Sequence, residues 1–269
     1  MRLFRRRWFQ IFVSGLVLLY LVERTLVQTG NPNYVPSVIL LGAFLVPVTF
    51  VTYLYERLPN WDVPLPPLAI CFLWGGMLGT VVAGTLEYDT ARSLGFLPKL
   101  LIGLIEESAK LIVPLLFYFL GKYRSEAAGI VLGVSTAMGF AALETMGYGF
   151  VTLLQSQGNL AALDSVLVAR GLLSPAGHAA WTGLVCAVLW QERLRAGHIT
   201  FNRKIVGAFV TAVVLHALWD TFNSLRGQTF SAFLDIEGLS LLVALISLVL
   251  LLLRVREARR ANNAGVRAA

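Results

Sequence analysis

The stretch 97–120, LPKLLIGLIEESAKLIVPLLFYFL, puts Glu106, Glu107 and Lys110 in the middle of an apolar, helix-forming run of membrane length. A charged side chain at the centre of a bilayer costs roughly 2.5–3.5 kcal/mol on an insertion scale, so three in one segment need compensation. Ionisable groups kept at such a depth face a protein interior or a wet cavity and carry function. Helical spacing supplies part of the compensation: Lys110 lies four residues after Glu106 and three after Glu107, so it can neutralise at least one of them.

Composition places the whole chain in the same setting. Apolar residues make up 57% and charged residues 14%, a balance that belongs to polytopic membrane proteins and excludes an ordinary soluble domain. The formal charge of +7 resides in short loops and tails. Anionic lipid headgroups are therefore the expected partner of that charge, and nucleic acid is not. Cys71 and Cys186 lie inside apolar runs without metal-type spacing and read as small core residues. The apolar run that follows Arg2, Arg5, Arg6 and Arg7 has no small-residue cleavage site and is long enough to span, so it reads as a retained helix.

Eight segments approach the ~20 residues a bilayer requires, at 8–27, 36–55, 66–86, 97–120, 126–155, 171–190, 204–224 and 237–254. Gly30 with Pro32, Pro59 with Pro64, Pro66 and Pro67, then Gly121, Gly158 and Gly227 punctuate the gaps. Alternate connections carry the basic residues: the N-terminal arginines, Arg57, Lys122 with Arg124, Arg193 to Lys204, and Arg254 to Arg267. The opposite set holds mainly Arg92, Lys99, Arg170 and Arg226. The bias predicts an all-α polytopic protein of the cell membrane, with about eight transmembrane helices and both termini cytoplasmic. Residues 1–96 supply three N-terminal helices, 97–224 a four-helix core, and 225–269 a last helix with a basic tail.

Depth follows from the ~1.5 Å rise per helical residue. It puts Glu106 about 13 Å, Glu144 about 16 Å, His178 about 10 Å, His216 about 12 Å and Asp220 about 6 Å below the outer surface. Four helices thus carry ionisable groups at one level, which points to a shared polar site. Phe140 shares a helix face with Glu144, and His216 with Asp220, which can fix the imidazole tautomer. Gly129, Gly133 and Ala137 form a small-residue stripe that lets a neighbouring helix approach. Pro175 and Gly177 suggest a break or tight packing beside His178. Asp164 and Arg170 read as a solvated loop, nothing cationic lies within one turn of Glu144, and His198 is set aside.

Several intramembrane chemistries are excluded by absence. The chain has no H-E-x-x-H and no Gly-x-Gly-Asp, and Gly133-Val-Ser135-Thr-Ala137 lacks the closing glycine of a serine elbow. A cluster of Glu, Glu, Glu, His and His with an Asp behind suits carboxylate activation of water, with or without a metal. A buried structural ion pair, a membrane scaffold and an ion or proton pathway are the competing readings.

The order Glu106-Glu107-x-x-Lys110, Phe140-x-x-x-Glu144, His178 and His216-x-x-x-Asp220 resembles the PrsW family of intramembrane proteases, within the superfamily of type II CAAX prenyl proteases and bacteriocin-processing enzymes. Gly139-Phe140-Ala-Ala-Leu-Glu144, Arg170 with Pro175-Ala-Gly-His178-Ala, and Leu215-His216-Ala-Leu-Trp219-Asp220 add to the likeness, which covers roughly residues 97–224. Thr145 departs from the asparagine expected after the glutamate. The resemblance implies an endopeptidase that cuts a membrane-anchored protein near the outer face, an anti-sigma factor being the best-known substrate type. It implies that Glu106 and Glu107 supply the water-activating carboxylate with Glu144 assisting. His178 and His216 would stabilise the oxyanion or, with Glu144, bind a metal such as zinc, while Asp220 orients His216 and Lys110 and Phe140 support the site. The superfamily is described in both metal-dependent and glutamate-only terms.

Overall fold

A computed structural model describes residues 3–58, 63–224 and 230–268. Arg2, Pro59, Arg226 and Gly227, which entered the reading above, lie outside the described residues. The elements in chain order are α1 (Arg7–Thr29), α2 (Val35–Arg57), α3 (Leu65–Ile70), a π-helical turn (Cys71–Gly75), α4 (Gly76–Leu94), α5 (Lys99–Lys110), α6 (Ile112–Leu120), α7 (Glu126–Gln155), α8 (Leu160–Leu173), α9 (His178–Ala196), α10 (Arg203–Ser224) and α11 (Phe230–Ala268). Short 3-10 turns complete the path, and no strand occurs among the described residues. Seven helical stretches among them are long and apolar enough to cross a bilayer.

The decisive stretch 97–120 differs from its expected form. It is two helices, of twelve and nine residues, that meet at Leu111, and neither alone reaches the ~20 residues of a span. The cause is Pro114, whose nitrogen carries no proton for the Lys110 carbonyl one turn earlier and whose ring crowds that carbonyl. The backbone tightens at the junction instead, with the Leu111 amide donating to the Ser108 carbonyl at 3.2 Å. Lys110 thereby becomes the last residue of α5.

A second difference concerns 160–173. The connection in which Asp164 and Arg170 read as solvated and the start of the segment expected at 171–190 together form helix α8, capped by Asn159, whose side chain accepts from the Ala162 amide at 3.2 Å. Its apolar face carries Leu163 and Leu167, both buried. After it the chain makes a 3-10 turn at Ser174–Ala176, and α9 starts at His178. The expected break beside that histidine is present. His178 is the first residue of its helix, so a depth counted along an unbroken helix from Gly171 does not apply to it.

The chain divides into two compact units. The first holds residues 1–57 and 141–175, hence α1, α2, the end of α7 and α8. Leu26, Val38, Ile39, Ala43, Leu163 and Leu167 form its core. Gly42 makes room there for Leu167, whose side chain would stand 2.7 Å from an added Cβ.

The second unit holds residues 58–140 and 176–269. Its centre is the first half of α7, buried almost throughout. The stripe on this helix is used as its composition suggests. A Cβ on Gly129 would lie 2.7 Å from the Cys186 carbonyl oxygen, and one on Gly133 would lie 2.7 Å from the Cys186 side chain, so α9 packs backbone-close. On another side the π-helical turn approaches Gly139, where a Cβ would overlap the Phe72 carbonyl. At the far end of α9, the Arg193 guanidinium donates to the Tyr118 carbonyl at 2.7 Å and the Trp190 indole N–H to the Tyr123 carbonyl at 2.6 Å. These bonds tie short α6 and the connection after it to α9.

The close approach at Gly139 yields a test. Gly139→Ala forces backbone against backbone and should destabilise the protein by about 1–3 kcal/mol. Gly147→Ala, on the same helix with nothing within 4 Å of the added methyl group, should be neutral or slightly stabilising. Thermal unfolding in detergent compares the two.

Candidate active site

The site grows from one turn of α5. Glu106, Glu107 and Lys110 project from the end of that helix and are all buried, Lys110 with no exposed surface. The Lys110 ammonium donates to Glu106 Oε2 at 3.0 Å and to Glu107 Oε1 at 2.8 Å. Its third polar neighbour comes from another helix: His178 Nδ1, at 2.9 Å. The Phe140 ring, from α7, covers the ammonium with its centroid 4.3 Å away, a cation–π contact to a fully buried charge. Two carboxylates thus share one buried cation, and the remaining negative charge needs donors from elsewhere.

Helices α9 and α10 supply them. Thr182, one turn after His178 on α9, donates its hydroxyl to Glu107 Oε2 at 2.9 Å. His216, on α10, places Nδ1 3.0 Å from Glu107 Oε1. Its other ring nitrogen stands 3.6 Å from Glu106 Oε2 and 3.8 Å from Asp220 Oδ2, distances for charge attraction and too long for hydrogen bonds. Gly103 makes this proximity possible: an added Cβ would lie 2.9 Å from the Val213 carbonyl oxygen, so α5 and α10 touch through bare backbone.

Glu107 is therefore engaged at both oxygens and 1% exposed, while Glu106 meets Lys110 and His216 through Oε2. The Trp181 indole stacks on His216, with centroids 4.4 Å apart and planes 20° from parallel. Its N–H donates to Ser247 Oγ at 2.9 Å, so α11 fixes the plate against which His216 rests.

Of the residues singled out from sequence, Glu106, Glu107, Lys110, Phe140, His178 and His216 come together here, with Asp220 at the margin. Glu144 belongs to the first unit. There Arg170 Nη2 pairs with Glu144 Oε2 at 2.7 Å and its guanidinium lies over Tyr148, 4.1 Å from the ring centroid. Arg170 Nε also donates to Thr145 Oγ1 at 3.3 Å. Nothing cationic lies within one turn of Glu144, as expected, and its partner Arg170 is half-buried on a helix where a solvated loop was expected. The partner was hidden because it comes from 26 residues away in sequence. Thr145 keeps a hydrogen bond at the position where it departs from the motif.

Thr182 and Trp181 were missed. The signal for Thr182 was present, since it stands four residues after His178 on one helix face of an otherwise apolar segment. Trp181 gave none, because a tryptophan in a membrane helix is ordinary.

A family model described as PrsW family intramembrane metalloprotease matches residues 63–253. The chain belongs to the PrsW family. The match embraces every residue of the cluster, and with the apolar helices it makes the chain a multi-pass membrane protein of a proteolytic family. No curated relative and no solved structure matches it.

The family description implies a metal, and the donor set tests that implication. A histidine that ligates a metal through one nitrogen donates the proton on its other nitrogen to an acceptor. His216 satisfies that rule, with Nδ1 against the Glu107 carboxylate. His178 does the opposite: its Nδ1 faces an ammonium, which has three protons and no lone pair to accept with. The cation beside Glu106, Glu107 and His178 is already Lys110. A two-histidine ligand set does not fit the site as it is built.

The network makes a prediction about Thr182. Thr182→Val leaves a carboxylate oxygen buried without a donor and should cost about 1–3 kcal/mol of stability. Thr182→Ser should restore most of it in the same thermal-unfolding measurement.

Proposed function

We propose that the protein is an intramembrane endopeptidase in which Glu106 activates water without a metal. The observation that carries this reading is the unequal engagement of the two adjacent carboxylates. Glu107 is held by Lys110, His216 and Thr182 and serves as an anchor. Glu106 shares Lys110 and the His216 imidazole through one oxygen only, which suits it to accept a proton with the other.

The reaction then balances simply. Glu106 takes a proton from water as the water oxygen bonds to the scissile carbonyl carbon, and the carbonyl oxygen becomes an oxyanion. The protonated Glu106 next gives its proton to the leaving nitrogen as the C–N bond breaks, releasing a carboxylic acid and an amine. His178 supplies a hydrogen bond to the oxyanion, a contribution typically worth 10²–10³ in kcat. His216 is a positioning residue, oriented by Glu107, Asp220 and the Trp181 plate.

A membrane-anchored protein with a segment outside the bilayer is the substrate that this family membership supports, an anti-sigma factor being one such type. The charge bias of the connections supports cytoplasmic termini and a cut near the outer face. The basic connections suit anionic headgroups.

Reconstitution in liposomes with a single-span reporter tests the reading. Glu106→Gln should lower kcat by at least about 10²-fold with the fold intact. Glu107→Gln should instead show mainly as lost stability, of about 3–5 kcal/mol, because it breaks a buried ion cluster. Strong chelators should leave cleavage unchanged. Undiminished cleavage by Glu106→Gln, or loss of cleavage to a chelator with recovery on adding zinc, would overturn the assignment.

A further inference from the structure

We infer that Lys110 is a positioning residue that fixes the tautomer of His178, making it a hydrogen-bond donor through Nε2 and not a metal ligand. The inference deepens the proteolytic reading of the same site, on which its catalytic meaning rests.

Lys110 lies within 3.0 Å of two carboxylate oxygens and 2.9 Å of the His178 Nδ1. A fully buried amine between two carboxylates is an ammonium, since neutralising it would leave both anions without their cation. An ammonium only donates. Nδ1 of His178 must then accept, so it carries no proton, and the neutral ring holds its proton on Nε2. An imidazolium is excluded on the same ground, because its Nδ1 proton would point at the protons of Lys110.

The surroundings hold the ring in place. The Phe140 ring lies 5.7 Å from the His178 ring and Trp181 lies edge-on to it at 5.5 Å, both measured between centroids. His178 is also the first residue of α9, after a glycine whose backbone (φ −107°, ψ −104°) is not helical. The ring position is thus set by the helix start and two aromatic walls, while its proton is set by Lys110.

The consequence is a division of labour between the two histidines. His216, with Nδ1 against a carboxylate, has its Nδ1 protonated. His178, with Nδ1 against an ammonium, has its Nε2 protonated. An Nε2–H is what an oxyanion needs and what a metal cannot use. The motif lysine acts on the reacting carbonyl oxygen through this histidine, in addition to balancing the charge of Glu106 and Glu107.

Nitrogen-15 NMR of the histidine-labelled protein in liposomes reads the tautomer directly. The chain has 3 histidines, so His198→Gln and His216→Gln assign the spectrum. The wild type should show His178 with a protonated Nε2 and a bare Nδ1, unchanged by added zinc. A protonated Nδ1, or a zinc-dependent shift of Nε2, overturns the inference.

Lys110→Met combined with Glu106→Gln removes one positive and one negative charge, so the fold keeps its balance. There the His178 tautomer preference should be lost. A preference that persists shows that Lys110 does not set it.

Lys110→Met alone should lower reporter cleavage at least tenfold in kcat with little change in KM. Wild-type cleavage by a protein whose His178 has a protonated Nδ1 would overturn the tautomer assignment and leave the protease standing. A protonated Nε2 in a wild type that cleaves no membrane-anchored reporter would do the reverse.

Discussion

A single buried ammonium organises the second unit of this protein. Lys110 has no contact with solvent, yet it joins two carboxylates and an imidazole and lies under an aromatic ring. Burying ions is costly, and the cost is met only when geometry is good and the remaining lone pairs find donors. Thr182 and His216 are those donors for Glu107. α7, α9 and α10 therefore each have a residue tied to the end of α5, so the cluster fixes four helices against one another.

That constraint explains where small residues and breaks occur. Gly103 lets α10 reach the turn that bears Glu106 and Glu107, and Gly129 and Gly133 let α9 lie against α7 at backbone distance. Pro114 ends α5 at Lys110, so the ion cluster sits at a helix terminus beside a tightened turn and not in mid-helix. The break before His178 has an equivalent effect, placing the imidazole at the start of α9 and not along its side. The end of α5 and the start of α9 therefore meet at Lys110.

Much of the site was legible from residue identity. Charge in an apolar run costs several kcal/mol, so Glu106, Glu107 and Lys110 had to be together and had to be compensated, and i,i+3 and i,i+4 spacing named Lys110 as the compensator. His216 with Asp220 was legible from the same periodicity. α7 was legible to the residue, because a 30-residue apolar helix with a glycine stripe allows few alternatives. The stretch 97–120 was misjudged as continuous because its apolarity outweighed one proline. α8 was overlooked because Asp164 and Arg170 lower its apolarity, and Arg170 proved to be the partner of Glu144. Pairings between residues far apart in sequence leave no trace in local periodicity.

The sequence by itself determined that the chain is helical and membrane-embedded, and which polar residues are too costly to be incidental. Those conclusions rest on transfer free energies and helical spacing, which act residue by residue. Only the tertiary structure decided which partners each polar residue meets. Whether a carboxylate is an anchor or a base depends on which oxygens already have donors. Whether a histidine is a ligand or a donor depends on what its other nitrogen faces. Both are properties of neighbours brought from different helices, and for His178 the deciding neighbour is the lysine 68 residues before it in the chain.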